Sequence, residues 1–435
     1  MKKSCVAFLL ILLLALEGVI FSSCSQKEES GLTREVKAGE KLKLRFMSSW
    51  GGVDSKAGTL QQVLDRFTEN NPDIEVINES LFGEDFLPKI KTDFASGNDP
   101  DVFGLWPGSD IKALIKAGKV ADLTDIISGD KEWNGTFDKQ GWNYTTFDGK
   151  IYGLPVEIIF EGLFVNTDLF DKYNVSVPRS FDGLKRAVEV FKENGIIPIA
   201  YNYMAEGTFL YQNIVAVLGS EQDVENPFKD GKVNQCYIDA MYYMRELYQM
   251  KAFPQNAFSL SNAERNALFK EKKAAMIVQG SWFIGDFTED GGNVDIVQFP
   301  GMQNTGPYPS TLIYGLGCGA FQMSSTAWDD SSKREASLRL LRTLTSRNTA
   351  AFFAQQTGMI SNIDICGYNV SYNRLTKKGL QLINNAQVLV GPPDSFVDRS
   401  VWERVIVEDF PYMLEGEVSP EEIWNKAINE GIATD

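Results

Sequence analysis

Three tryptophans stand in short loops rich in glycine, serine or proline, each directly after a strand-like segment. Trp50 follows "LKLRFM", Trp106 follows "DVFGL" and Trp282 follows "AAMIV". An indole at a loop mouth offers a flat apolar face and one N–H donor, which together grip the C–H face of a ring and reach a hydroxyl. Carboxylates supply the complementary acceptors through charge-assisted hydrogen bonds. Glu157 and Glu161 lie in the unusually apolar "GLPVEIIFEGLFVN", and Glu206 follows the strand-like "IIPIA" in "YNYMAEGTF". One such ring alone packs inside a core more readily than it meets a ligand. Three at equivalent strand ends point to a shared site. The chain has no histidine, which removes the usual general base at neutral pH, the commonest metal ligand and every Ser-His-Asp or Cys-His triad. Carboxylate chemistry stays open, so Glu157 and Glu161 also admit a reading as the acid and base of a glycosidase, with carboxyls roughly 5–9.5 Å apart.

These residues must be held by a large scaffold. The 435 residues are 43% hydrophobic and 23% charged, with a formal net charge of −16. That length exceeds one compact core and predicts two domains or lobes. The acidic surface repels phosphate backbones, so nucleic acid is not an expected partner. "LKLRFM" alternates as a strand does, and "TLQQVLDRFTEN" places Leu60, Val63, Leu64 and Phe67 on one helical face before the breakers Asn70-Asn71-Pro72. "IEVI" and "DVFGL" continue as strands around the helical "DFLPKIKTDFASG". The alternation recurs with "SFDGLKRAVEVFKENG", capped by Ser180 and stopped at Gly195, and then "IIPIA". "SKREASLRLLRTLTS" opens with a capping-box spacing of Ser332 and Glu335, and "SPEEIWNKAINEG" starts at Ser419-Pro420. Strand–helix–strand alternation predicts α/β sheets with helical crossovers, and such sheets place ligands at the carboxyl ends of their strands.

The first 23 residues form a separate object. Lys2 and Lys3 precede the apolar run Val6–Leu16, too short to span a bilayer, and small residues precede Cys24. The "FSSC" ending resembles a bacterial lipobox, with Phe21 where leucine is more usual, which implies cleavage before Cys24 and lipidation of its thiol. A plain secretory signal is the alternative. Residues 24–40 read as a polar tether. Of the remaining cysteines, Cys236, Cys318 and Cys366 match no metal spacing, and at most one disulfide could join two of them.

Several segments, in order along nearly the whole mature chain, resemble the extracellular solute-binding proteins of ABC importers, in the carbohydrate-binding, maltose-binding-protein-like branch. They are "VLDRFTENNPDIEV", "ASGNDPDVFGLW", "AGKVADLTDII", "FDGKIYGLPVEIIFEGLFVNTDLFDKYNV", "LFKEKKAAMIVQGSW" and "YMLEGEVSPEEIWNKA". The resemblance implies a two-lobed periplasmic-binding-protein fold of type II, with crossover strands joining the lobes and a ligand cleft between them. One lobe would comprise 41–157 and 300–357, the other 158–299 and 358–435. Crossings would fall near Glu157–Glu161 and Asp295–Gly301, with a return around Gly358.

Position by position, Trp282 matches the family's ring-stacking tryptophan and Trp106 an aromatic after the Pro-Asp-Val strand. Glu206 falls near a hydroxyl-binding acid of the maltose binders, although Gly207-Thr208 replaces their Pro-aromatic step. Trp402 lies near another maltose-site aromatic, and Trp50 and Tyr314 are placed by loop position. The implied function is capture of a mono- or oligosaccharide by hinged closure and delivery to membrane permease subunits. The protein would be a monomer anchored at the cell envelope through Cys24, without metal or cofactor and without enzymatic activity. A secreted glycosidase, a receptor for a non-sugar solute and a surface adhesin are the alternatives.

Overall fold

A computed structural model describes residues 41–433 apart from 288–291, 303–309 and 318–319. The signal segment, the tether with Cys24, and Cys318 therefore lie outside the described residues. In chain order the strands begin with β1 (Leu42–Met47), β2 (Ile74–Asn78), β3 (Val102–Gly104), β4 (Thr146–Phe147), β5 (Lys150–Ile151) and β6 (Leu154–Pro155). There follow β7 (Glu157–Asn166), β8 (Ile197–Ile199), β9 (Phe228–Lys229), β10 (Lys232–Val233) and β11 (Ala274–Gly280). The last are β12 (Val294–Val297), β13 (Thr311–Leu316), β14 (Ala320–Met323), β15 (Ile360–Ser361) and β16 (Val388–Val390).

The first sheet runs β2-β1-β3-β14-β6. Its β1, β2 and β3 are parallel, as the alternation predicts, and β14 is antiparallel to β3 and β6. The helix Ala57–Asn70 buries Thr59, Leu60, Val63, Leu64 and Phe67 against this sheet, the face its sequence pattern specifies. One cap differs from expectation. The helix Ser331–Leu344 is capped by Asp330, whose side chain accepts the N–H groups of Ser332 and Lys333, so the Ser332–Glu335 pair lies inside the helix. The carboxylate just upstream takes the free amides first. Ser180 and Ser419 do cap their helices, Ser419 through a capping box with Glu422.

The second sheet runs β16-β13-β7-β11-β8 and is organised by β7. Ile158 to Phe160 pair with β13, Glu161 to Val165 with β11, Leu163 to Asn166 with β12, and the first two residues with β15. At Gly162 a Cβ would stand 3.0 Å from Ile296 Cγ2 and 3.2 Å from the Val297 carbonyl oxygen, so a glycine lets β12 approach. The helices Thr208–Leu218 and Gln235–Gln249 cover this sheet, with Leu163, Tyr211, Ile214, Met241 and Trp424 in its core.

The chain passes between sheets at Val156, from β6 to β7, and between Leu316 and Ala320, from β13 to β14. This corrects the crossing expected at Asp295–Gly301. Val294–Val297 is β12, antiparallel to β7 and still in the second sheet, and residues 311–316 also pair there rather than in the first lobe. The long β7 offers open backbone edge that both segments fill. Cys236 is buried and unpaired, and Cys366 is exposed and unpaired.

The far end of β7 is fixed by Asn166, which is 1% exposed and donates from Nδ2 to the carbonyls of Phe269 (3.0 Å) and Ala274 (2.7 Å). Asn166→Ala leaves two buried acceptors unmet and is expected to cost about 2–4 kcal/mol. Urea unfolding checks this, and a loss below about 0.5 kcal/mol would show that water replaces the amide there.

Candidate functional site

The turn after β11 sets the geometry. The ring of Trp282 lies across Gly280, so that a Cβ there would fall 2.0 Å from a ring carbon. Phe209 packs its edge on the same ring, with centroids 5.5 Å apart and planes at 66°. Trp282 is half-buried and packs against the core cluster that holds Phe283 and Ile284. Its carbonyl accepts from Ser55 Oγ of the first lobe at 3.4 Å, and a Cβ on Gly285 would lie 2.5 Å from Ser55 Cβ. The loop at 54–56 thus closes against the turn at 280–286.

Beside this contact lies a buried ion pair. Lys56 Nζ is 3.3 Å from Glu157 Oε1 and 3.8 Å from Asp54 Oδ1, and it stands 5.4 Å from the Trp50 ring centre. Burial raises the Glu157 carboxyl above its ordinary range, opposed by the charge of Lys56. The expectation that Glu157 faces a ligand is corrected here. Its carboxylate is turned to a first-lobe cation, and a Cβ on Gly317 would lie 2.6 Å from it.

Four residues further along β7, Glu161 is 1% exposed. Its Oε2 accepts from Asn213 Nδ2 at 2.7 Å. Burial, and then the nearby Asp394 carboxylate, push its pKa well above the usual value. Glu206 is half-buried and accepts from Arg265 Nη2 (2.7 Å) and Gln279 Nε2 (3.2 Å). Gln279 Oε1 in turn takes the N–H of Gly280 at 3.0 Å, which ties Glu206 to the tryptophan turn. Tyr314 on β13 pairs with Phe160 of β7 and sits near Tyr144 from the first lobe. Burial and the neighbouring Tyr314 and Glu225 push the Tyr144 phenol up to about 12.

Trp106 is half-buried and packs edge-on with Phe86 at 5.3 Å, with the Arg399 guanidinium 5.9 Å from its ring centre. The next residues, Pro107 to Ser109, reach the second lobe, where the Arg399 backbone N–H donates to Ser109 Oγ at 3.1 Å. Two expected contact rings are corrected outright. Trp50 is 2% exposed and packs between Phe321 and Phe353 in the first core. Trp402 is fully buried against Tyr211 and Trp424 in the second. A position after a strand, or near the end of a loop, does not say whether a ring turns outward or down into its own lobe.

Sequence reasoning missed Lys56, Tyr144, Phe209, Asn213, Asp394 and Arg399. A signal existed for Asn213: adjacent amides, Gln212 and Asn213, interrupt the otherwise apolar helix "TFLYQNIVAVL". The rest depend on contacts between segments far apart in sequence.

Residues 53–320 match the profile of the bacterial extracellular solute-binding proteins. The chain is 22% identical over 307 residues to the galactooligosaccharide-binding protein of Bacillus subtilis, covering 70% of this chain and 69% of that one. It is also 22% identical to that organism's melibiose/raffinose/stachyose-binding protein, covering 83% and 82%. A structure from work on xylan utilisation by Caldanaerobius polysaccharolyticus superposes with a TM-score of 0.79 at 23% identity, covering 89% of this chain and all of that one. The maltose/maltodextrin-binding domain of Bdellovibrio bacteriovorus bound to maltotriose superposes with a TM-score of 0.72 at 20% identity, covering 89% and 98%. These likenesses establish the two-lobed fold.

Two outcomes test the buried charges. Lys56→Met strands Glu157 and is expected to cost about 3–5 kcal/mol in chemical denaturation, with Lys56→Met/Glu157→Leu recovering most of it. A double variant no more stable than the single would show that the pair is not the cause. Glu161 holds its proton in the folded state above the ordinary value of 4.5, so its contribution to stability falls as pH rises from there toward the folded pKa. Glu161→Gln keeps an acceptor for Asn213 and has no proton to lose. Its melting temperature should therefore gain on the wild type as pH rises above that ordinary value, and a gap constant with pH would overturn the assignment.

Proposed function

Because the chain belongs to the bacterial extracellular solute-binding protein family, we propose that it is the sugar receptor of an ABC importer. A mono- or oligosaccharide enters between the lobes, closure buries it, and only the closed shape is read by the membrane permease. The observation that carries this reading is the half-buried Trp282 ring. It is laid flat on Gly280, steadied by Phe209 and set where the first-lobe loop at Ser55 arrives. Such a ring stacks on a pyranose face. The relatives' names support a sugar as the solute, since they bind galactooligosaccharides and raffinose-type oligosaccharides.

Around the ring, Glu206 acts as a hydroxyl partner held in place by Arg265 and Gln279, while Glu161, buried at 1% exposure, supports the turn from beneath through Asn213. Glu157 serves the hinge, through Lys56, and Trp106 and Tyr314 line the cleft between the lobes. The mature protein is a monomer tethered at the envelope by a lipidated Cys24, and it cleaves nothing. The glycosidase alternative gains no support from Glu157, whose carboxylate is ion-paired away from Glu161's partners.

A thermal-shift panel of maltotriose, raffinose, chitotriose and xylotriose should give at least one ligand that raises the melting temperature. Trp282→Ala is expected to weaken that ligand by about tenfold or more, which corresponds to about 1.4 kcal/mol, with the unliganded melt close to wild type. Unchanged affinity in calorimetry would remove Trp282 from the site. Release of shorter sugars from any of the four on prolonged incubation would refute the receptor reading in favour of hydrolysis.

A further inference from the structure

Apart from Trp282, the second lobe leaves an aromatic ring open to solvent on a firm backing. Phe258 is 44% exposed. Its ring stacks on that of Tyr203, with centroids 4.1 Å apart and planes at 15°, and Tyr248 meets it at 6.2 Å and 62°. Behind this pair, Tyr203 makes a T-shaped contact with Tyr201 at 5.2 Å, and Tyr201 stacks on the buried Phe253 at 4.3 Å. Tyr203 Oη is shut away from solvent with no hydrogen-bond partner among the described residues, so ring contacts are what hold this side chain. A single apolar residue on a surface calls for no explanation. One mounted on a row of rings that runs into the core is a fixed, flat platform.

The mounting is shared with the proposed sugar site. β8 and β11 are parallel neighbours, with Ile199 opposite Met276, so the segments that follow them leave the same end of the sheet from strands roughly 4.8 Å apart. One segment carries Trp282, and the other runs through Tyr201 and Tyr203 to Glu206. Asn202, fully buried between the two tyrosines, donates from Nδ2 to the Leu260 carbonyl (3.1 Å) and to Asn262 Oδ1 (2.9 Å). It thereby clamps the Glu206 loop to the turn Ala257–Ser259, which bears Phe258. Arg265 ties the same parts again, with Nη1 3.4 Å from Asn202 Oδ1 and Nη2 2.7 Å from Glu206 Oε2. Platform and hydroxyl acceptor are therefore built on one hydrogen-bonded pair of loops. The neighbours of Phe258 in its turn also suit a sugar. Ala257 and Leu260 are buried, which keeps the open apolar patch near the size of a pyranose and far below what a protein–protein contact needs. Gln255, Asn256 and Ser259 are exposed and uncharged, and offer amide and hydroxyl groups to a ring that carries O–H as well as C–H.

We propose that the open face of Phe258, backed by Tyr203, is a second stacking position for the saccharide, taking a ring further along the chain than the one at Trp282. This rests on the sugar-receptor reading above and narrows its ligand to an oligosaccharide. The platform is fixed before the ligand arrives, so stacking on it costs little ordering of the protein, and the gain shows as affinity that grows once the chain is long enough to reach it. Phe258 then selects for chain length and for a flat C–H face, whereas Glu206 selects for hydroxyls.

The test compares the full chain with Phe258→Ala, Phe258→Leu and Phe258→Tyr by calorimetry. The probes are whichever of maltotriose, raffinose, chitotriose and xylotriose gives the wild type its largest thermal shift, together with the disaccharide and monosaccharide contained in it. Wild type should bind the trisaccharide more tightly than the shortest sugar it binds at all. Phe258→Ala should weaken the trisaccharide about fivefold or more and change the shortest sugar by less than about twofold. Phe258→Leu, which keeps apolar bulk without a flat face, should match alanine, and Phe258→Tyr should restore the wild-type increment. The platform alone is overturned if wild type binds long and short sugars equally, if Phe258→Ala weakens both or neither, or if leucine serves as well as phenylalanine. Binding of no sugar at all by the wild type removes the receptor reading and the platform together. A concentration-dependent dimer in sedimentation that Phe258→Ala abolishes assigns the ring to contact between copies and also overturns the proposal.

Discussion

The backbone pairing of β7 is the constraint from which the rest follows. Ten consecutive residues, Glu157 to Asn166, are bonded along their length to β15, β13, β11 and β12. A slip of one residue would turn every side chain of the strand to the opposite face. Its register therefore fixes three things together. Glu157 stays at the passage between sheets where Lys56 can reach it, Glu161 opposite Gly280 at the root of the tryptophan turn, and Asn166 at the far end under the Phe269 and Ala274 carbonyls. The passage between sheets, the tryptophan turn and the Asn166 anchor are held by one hydrogen-bonded ladder.

The charged groups around the cleft share a second feature. Each acid expected at the site is already engaged by the protein: Glu157 by Lys56, Glu206 by Arg265 and Gln279, Glu161 by Asn213. Groups held in place by neighbours have little freedom left to lose, which for Glu206 fits the proposed role as a preset hydroxyl acceptor. The cations in the same region are engaged as well: Lys56 with Glu157, Arg265 with Glu206 and Arg399 with Asp394.

Much of the fold was legible in the sequence, because amphipathic periodicity and breakers are local. The buried face of Ala57–Asn70, the Ser180 and Ser419 caps, and the parallel strands β1 to β3 all follow from patterns within about fifteen residues. The strand after which Trp282 stands was equally readable. The crossing between lobes was not. Val294–Val297 and Thr311–Leu316 are both short apolar strands, and only their shared partner β7 shows that they lie in the same sheet. The tryptophans divide for a similar reason. The glycine two residues before Trp282 lets its ring fold back over the turn, whereas nothing near Trp50 or Trp402 in sequence reveals that Phe321, Phe353 or Trp424 waits to enclose it. Arg399 escaped notice because all of its first-lobe neighbours lie nearly three hundred positions upstream.

An indole resting on a hydrogen atom has a consequence for anyone who would reshape the proposed cleft. At Gly280 the smallest possible addition, a single methyl, collides with the ring it supports, so the floor beneath Trp282 offers no room for graded change. The adjustable wall is Phe209, which meets the same ring in a T-shaped contact and is itself half-buried. A half-buried side chain has room for substitution that Gly280 lacks, so a library aimed at the proposed cleft should vary that wall and leave the floor alone.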